Sequence, residues 1–121
     1  MANTVEDLER IQNKFADCKD MLIALGDETR QHILVMMISG PCSGSRVVDI
    51  AAKTNLSRPA VSHHMQILKA AGIVKARKEK TYIYYYLDPE NSEIEKMVDL
   101  FQDIGKIMLN APDRSGTHEM L

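Results

Sequence analysis

Residues Asn55–Val74 read NLSRPAVSHHMQILKAAGIV. Ser57 has the side chain of a helix N-cap, and Pro59 falls in the first turn, where a missing N–H costs nothing. Val61, Met65 and Leu68 recur at i, i+4 and i+7, so one face of the helix turns inward. Gly72 supplies the stop. The spacing therefore predicts a helix over Ser57–Ala71 with one buried stripe. Its other face carries Arg58, Ser62, His63, Gln66 and, further along, Lys69.

A second short helix comes before it. Ser45 is placed to cap it, it runs through Asn55, and Val47, Ile50, Ala51 and Thr54 make its inner stripe. Only Asn55-Leu56 separates the two, which is the proportion of a helix-turn-helix. After Gly72 the period changes. Residues Ile73–Leu87, IVKARKEKTYIYYYL, carry β-formers at both ends and charges between, so they predict a hairpin turning near Lys78–Thr81. Two helices followed by a basic hairpin make a winged helix-turn-helix, a mainly α fold whose second helix enters the DNA major groove.

The flanks are helical. Asn3 and Glu6 offer a capping box, followed by Leu8, Ile11 and Phe15 at helical spacing. Met21–Leu25 continues the apolar pattern to Gly26, and Asp27 caps a helix bearing Ile33, Leu34, Met37 and Ile38. At the other end Ser92 and Glu95 read as a capping box. Ile94, Met97, Phe101, Ile104 and Met108 repeat there at 3-4-3-4 spacing. That seam packs either on its own domain or on another helix across a dimer axis. The organisation expected is a single domain over residues 1–110, with dimerising extensions at 1–25 and 91–110 and a flexible tail at 111–121.

The chain has 121 residues, 45% hydrophobic and 26% charged, which suits one globular domain whose modest core favours dimerisation. No apolar run reaches membrane-span length, and the acidic start lacks a signal-peptide core, so a cytoplasmic protein is expected. The net charge of -2 conceals an asymmetry. Residues 45–86 hold eight basic side chains against Asp49 and Glu79, a net +6 on an otherwise acidic chain. A basic segment of that kind marks a polyanion-binding face.

Each side chain then has a role. Arg pairs bidentately with guanine, Gln with adenine, and Ser with base or phosphate. Arg58, Ser62, His63 and Gln66 are expected to face DNA, with Ser57 and Lys69 at the ends of that surface. His64, beside the inward-facing Met65, is either a phosphate contact or a structural hydrogen-bonding group. Lys75, Arg77, Lys78 and Lys80 on the hairpin suit phosphates, and Tyr82 can reach the sugar-phosphate backbone.

Metal chelation by His63 and His64 is disfavoured, because adjacent helical positions point about 100° apart. No nucleophile lies beside a base and no glycine-rich phosphate loop is present, so an enzyme is not expected. Cys18 and Cys42 lack both metal spacing and a disulfide framework. No cofactor is expected.

LGDETRQHIL (Leu25–Leu34), VVDIAAKTNLSRPAVSHHMQILKAAGIV (Val47–Val74) and YIYYYL (Tyr82–Leu87) together resemble the ArsR family of bacterial winged helix-turn-helix repressors. The resemblance implies a homodimer built from the first and last helices and repression at a palindromic operator on double-stranded DNA. Leu8, Ile11, Phe15, Ile94, Met97, Phe101, Ile104 and Met108 would then form its interface. Many members sense metals, but the positions matching their ligands are Arg46, Val47 and Val48, and, on the last helix, Asn91, Glu93, Ile104 and Ile107. Those side chains cannot hold zinc or arsenic, and the inducer is left unidentified. The alternatives are a thiol switch using Cys18 and Cys42, a metal site using His32 or the tail His118, and a winged-helix module that binds a protein.

Overall fold

The computed structural model describes residues 4–113 and 115–116. Asn3 and His118 lie outside them. Five helices and one hairpin follow in the order α1 (Val5–Leu25), α2 (Glu28–Ser39), α3 (Val47–Thr54), α4 (Arg58–Ala70), β1 (Lys75–Glu79), β2 (Tyr82–Tyr86) and α5 (Ser92–Asn110).

Local chemistry sets most boundaries. Asp27 caps α2 by accepting from the Arg30 N–H, and Ser57 caps α4 by accepting from Ala60 N–H. The first capping box falls on Thr4 and Asp7, one residue beyond the Asn3–Glu6 pairing. Asn91 caps α5, accepting from Glu93 and Ile94, one residue before the expected Ser92. Its amide also donates to the carbonyls of Gly72 and Ile73, so one buried asparagine ties the helix start to the end of the α4 connection. Ser45 does not cap α3, which begins two residues later. It pairs with Tyr85 (N···O 2.8 and 2.9 Å), adding a short third edge beside β2.

The core gathers α4 onto the surrounding helices. Val61, Met65 and Leu68 are wholly buried, together with Ile33 of α2, Ile73 after α4 and Leu100 of α5. The α3–α4 turn is held by Asn55 in the left-handed region (φ 58°), a conformation asparagine tolerates better than most residues. β1 and β2 pair antiparallel with Ala76 opposite Tyr85 and Glu79 opposite Tyr82, leaving Lys80-Thr81 as the turn. Tyr85 is buried while Tyr82, Tyr84 and Tyr86 occupy the opposite face, as strand alternation requires.

α1 lies along α5, and charged groups staple the pair. Arg10 grips Asp103 with two bonds of 2.8 and 2.9 Å, and Lys14 reaches both Asp103 and Asp99 at 2.8 Å. The Arg10 and Lys14 donors hold the Asp103 carboxyl well below the usual carboxylate range. None of the described helices is long and apolar enough to cross a membrane.

Candidate nucleic-acid interface

α4 presents its cap, the face expected to meet DNA and a basic end along one side. The Ser57 oxygen is engaged by Ala60 N–H at 3.2 Å, leaving its hydroxyl proton to offer elsewhere. Arg58 and His63 are exposed, Ser62 is half-buried, and Lys69 stands exposed in the last turn. Gln66 is exposed on the same helix, and its amide donates to the buried Tyr85 hydroxyl at 3.3 Å. That bond ties the recognition helix to the wing, so a base contact by Gln66 would use its remaining amide groups.

His64 has a partner that local sequence could not reveal. Arg30, only 8% exposed, donates Nε to the Ala24 carbonyl at 2.7 Å and sets Nη1 3.2 Å from His64 Nδ1. A guanidinium can only donate, so Nδ1 accepts and the ring proton sits on Nε2. One edge of the imidazole is thus structural, and Nε2–H is the edge that can meet an external acceptor.

On the wing, the cations differ in commitment. Lys75 is paired with Asp88 at 2.6 Å, which lowers the Asp88 carboxyl and raises the lysine. Arg77 donates to Glu79 at 3.0 Å and lies over the Tyr84 and Tyr86 rings. Lys78 and Lys80 are exposed, with no ion pair among the described residues. Tyr82 is exposed, and the Arg46 guanidinium carbon sits 4.0 Å from its ring centroid. Arg46 counted toward the basic segment, but its sequence gave no reason to place it on the interface. No local period connects the residue before α3 to a tyrosine on β2.

The expected dimer residues divide. Met97 is a core residue, 8% exposed, and Ile104 packs against the same core, so both are used within the protomer. Ile11 is half-buried, whereas Leu8, Phe15, Ile94, Phe101 and Met108 remain exposed. Val98 and Leu109 are exposed too, so the outward stripe of α5 is Ile94, Val98, Phe101 and Met108, offset from the one read as a single seam.

Cys18 is buried in α1, where burial pushes its thiol up, and Cys42 is exposed in the loop after α2; both are free. Among the described residues no three His, Cys, Asp or Glu side chains converge on a point. The positions aligned with family metal ligands have other work: Arg46 covers Tyr82 and Asn91 caps α5.

Comparison with known proteins bears on the same region. Residues 27–76 match the model of the bacterial regulatory protein arsR family. An uncharacterized HTH-type transcriptional regulator of Methanocaldococcus jannaschii is 41% identical over 88 residues, spanning 71% of this chain and 96% of the relative. The transcriptional repressor SdpR of Bacillus subtilis is 37% identical over 65 residues, covering 54% of this chain and 69% of its own. Among solved structures, the homodimeric winged helix-turn-helix DNA-binding domain from Mycobacterium bovis superposes with a TM-score of 0.56 at 26% identity. That match covers 90% of this chain and 94% of the other.

Proposed function

The chain belongs to the arsR family of bacterial regulatory proteins, and from that premise we propose that it is a sequence-specific repressor acting in the cytoplasm as a homodimer at a palindromic operator. Membership makes it a DNA-binding transcriptional regulator rather than an enzyme. The observation that carries the finer reading is the cationic face itself. Arg58 and Lys69 on α4, with Lys78 and Lys80 on the wing, point away from the core without acidic partners among the described residues. Arg10, Lys14, Arg30, Lys75, Arg77 and Lys96 are paired with carboxylates. Lys19, Lys53 and Lys106 are, like these four, without one among the described residues, so the reading rests on the clustering of cations on α4 and the wing. The likeness to a repressor and to a homodimeric DNA-binding domain supports the direction of regulation and the assembly.

In this mechanism α4 enters the major groove. Arg58, Ser62 and His63 address base edges or adjacent phosphates, with Gln66 held near the wing. His64 offers Nε2–H to a phosphate while Arg30 fixes its other edge. Lys69, Arg77, Lys78 and Lys80 follow the backbone and supply affinity without sequence choice, with Tyr82 beside them at the wing tip. The homodimer forms along α1 and α5, with residues 1–25 and 91–110 extending one domain. Any inducer is something other than a metal held at the family's usual thiolate and last-helix positions.

Selection of bound duplexes from a random pool tests this reading. A common palindrome should emerge, with log affinity falling steeply against log salt. Arg58→Ala should relax base preference at its position, at a cost of about 1–3 kcal/mol, whereas Lys78→Ala should weaken selected and scrambled duplexes alike. Equal affinity of the unmodified protein for both duplexes would rule out the specific repressor.

A further inference from the structure

Five arginines lie in the described residues, and they divide sharply. Arg10 is paired with Asp7 and Asp103, Arg30 approaches Asp27 and donates to buried carbonyls, and Arg77 is paired with Glu79. Arg46 and Arg58 alone have no carboxylate partner among the described residues. Those two line one shallow depression of about 270 Å³, walled by Val48, Thr81, Tyr82 and Ile83. The depression joins the start of α3, the start of α4 and the wing tip.

Two guanidiniums around one hollow repel each other unless an anion lies between them, and Arg is the side chain best suited to grip a phosphate. Arg46 is positioned without being neutralised. Its guanidinium carbon sits 4.0 Å from the Tyr82 ring centroid, and an aromatic face attracts the cation while accepting none of its in-plane N–H bonds. Its described bonds into the α3 start are all made by its backbone, whose N–H donates to Asp49 at 3.3 Å and whose carbonyl accepts from Asp49 and Ile50 N–H at 3.0 and 3.1 Å, so none of them spends the side-chain donors.

We infer that Arg46, held by Tyr82, and Arg58 form a clamp for one backbone phosphate of the bound duplex, on the seam between recognition helix and wing. This deepens the DNA-binding reading and rests on it. The clamp makes Tyr82 a positioning residue rather than a direct backbone contact, and it gives Arg58 a phosphate role beside any base role. A backbone phosphate is favoured over a small free anion because the hollow is shallow and open to the same side as α4 and the wing.

The test is a salt titration of affinity by fluorescence anisotropy, using a duplex selected from a random pool and a scrambled duplex of equal length. Arg46→Ala, which leaves Arg58 on the same phosphate, should lose up to about fivefold near 0.15 M salt on both duplexes and flatten the log–log slope by up to about 0.9. Tyr82→Leu should reproduce much of that loss. The double variant should be little worse than Arg46→Ala alone, because both changes remove one contact. Arg46→Lys should restore most of the slope but less of the affinity. Thermal melts on each variant separate unfolding from lost contact. Unchanged slope and affinity in a folded Arg46→Ala protein overturn the clamp and leave the regulator reading standing. Additive losses from Arg46→Ala and Tyr82→Leu overturn the positioning role of the tyrosine. An unmodified protein that binds neither duplex at low salt overturns both readings together.

Discussion

Arg30 and His64 show how a residue next to the reading face can be committed to the interior. The guanidinium links the last carbonyls of α1 to the recognition helix through a ring it can only donate to. Removing the ring leaves a buried cation short of an acceptor, so His64→Ala should cost about 1–2 kcal/mol in urea unfolding. Asparagine places a polar atom close to where Nδ1 sits and has nothing at Nε2. His64→Asn should therefore recover most of the stability. If the outer edge meets a phosphate, the same variant should still bind DNA several-fold more weakly. Stability and affinity both restored would deny any DNA contact by His64. Sequence placed the ring beside the buried Met65 and no further, because its partner lies on another helix and nothing in helical periodicity points across a domain. The caps at Asp27 and Ser57, satisfied within three residues, were readable for the opposite reason.

The wing is an element whose position was readable and whose details were not. β-formers at both ends and a charged centre locate the hairpin and its turn. The Ser45–Tyr85 bridge leaves no mark in the sequence, since a single paired residue has no period. The turn itself is unusual. Lys80 adopts φ 58° in a two-residue connection, a left-handed geometry that costs a residue with a Cβ about 1 kcal/mol or more and that glycine accepts freely. Lys80→Gly relieves that strain while loosening the unfolded chain, so a net gain of about 0.5 kcal/mol is expected. The same change deletes an exposed cation. DNA affinity should fall about fivefold near 0.15 M salt, equally on specific and scrambled duplexes. Opposite movement of the two quantities is the signature of a turn strained for its charge. Unchanged affinity would remove Lys80 from the interface.

At the scale of the whole molecule, the direction in which α5 faces decides what its apolar residues do. A 3-4 repeat fixes a stripe but not its direction, and this helix has two: Met97, Leu100 and Ile104 turned to the core, Ile94, Val98, Phe101 and Met108 turned out. An exposed apolar stripe of that size beside α1 is costly in water and suits a second copy. The proposed homodimer, joined there, would carry its two recognition helices at a fixed span, about 34 Å or one turn of DNA. Rigidity of span can be tested on the DNA rather than the protein. Inserting five base pairs between the half-sites turns one of them to the opposite side of the duplex, so only one half-site can be engaged. Affinity should drop by about a hundredfold or more, toward non-specific levels. Phe101→Glu places a charge in the centre of the stripe and should yield a monomer by sedimentation. That monomer should already bind at the reduced level and ignore the insertion. A dimer that tolerates the insertion has a flexible span, and a Phe101→Glu protein that stays dimeric joins through another face. Insertion sensitivity lost together with the dimer is the outcome that links the outward stripe of α5 to the operator.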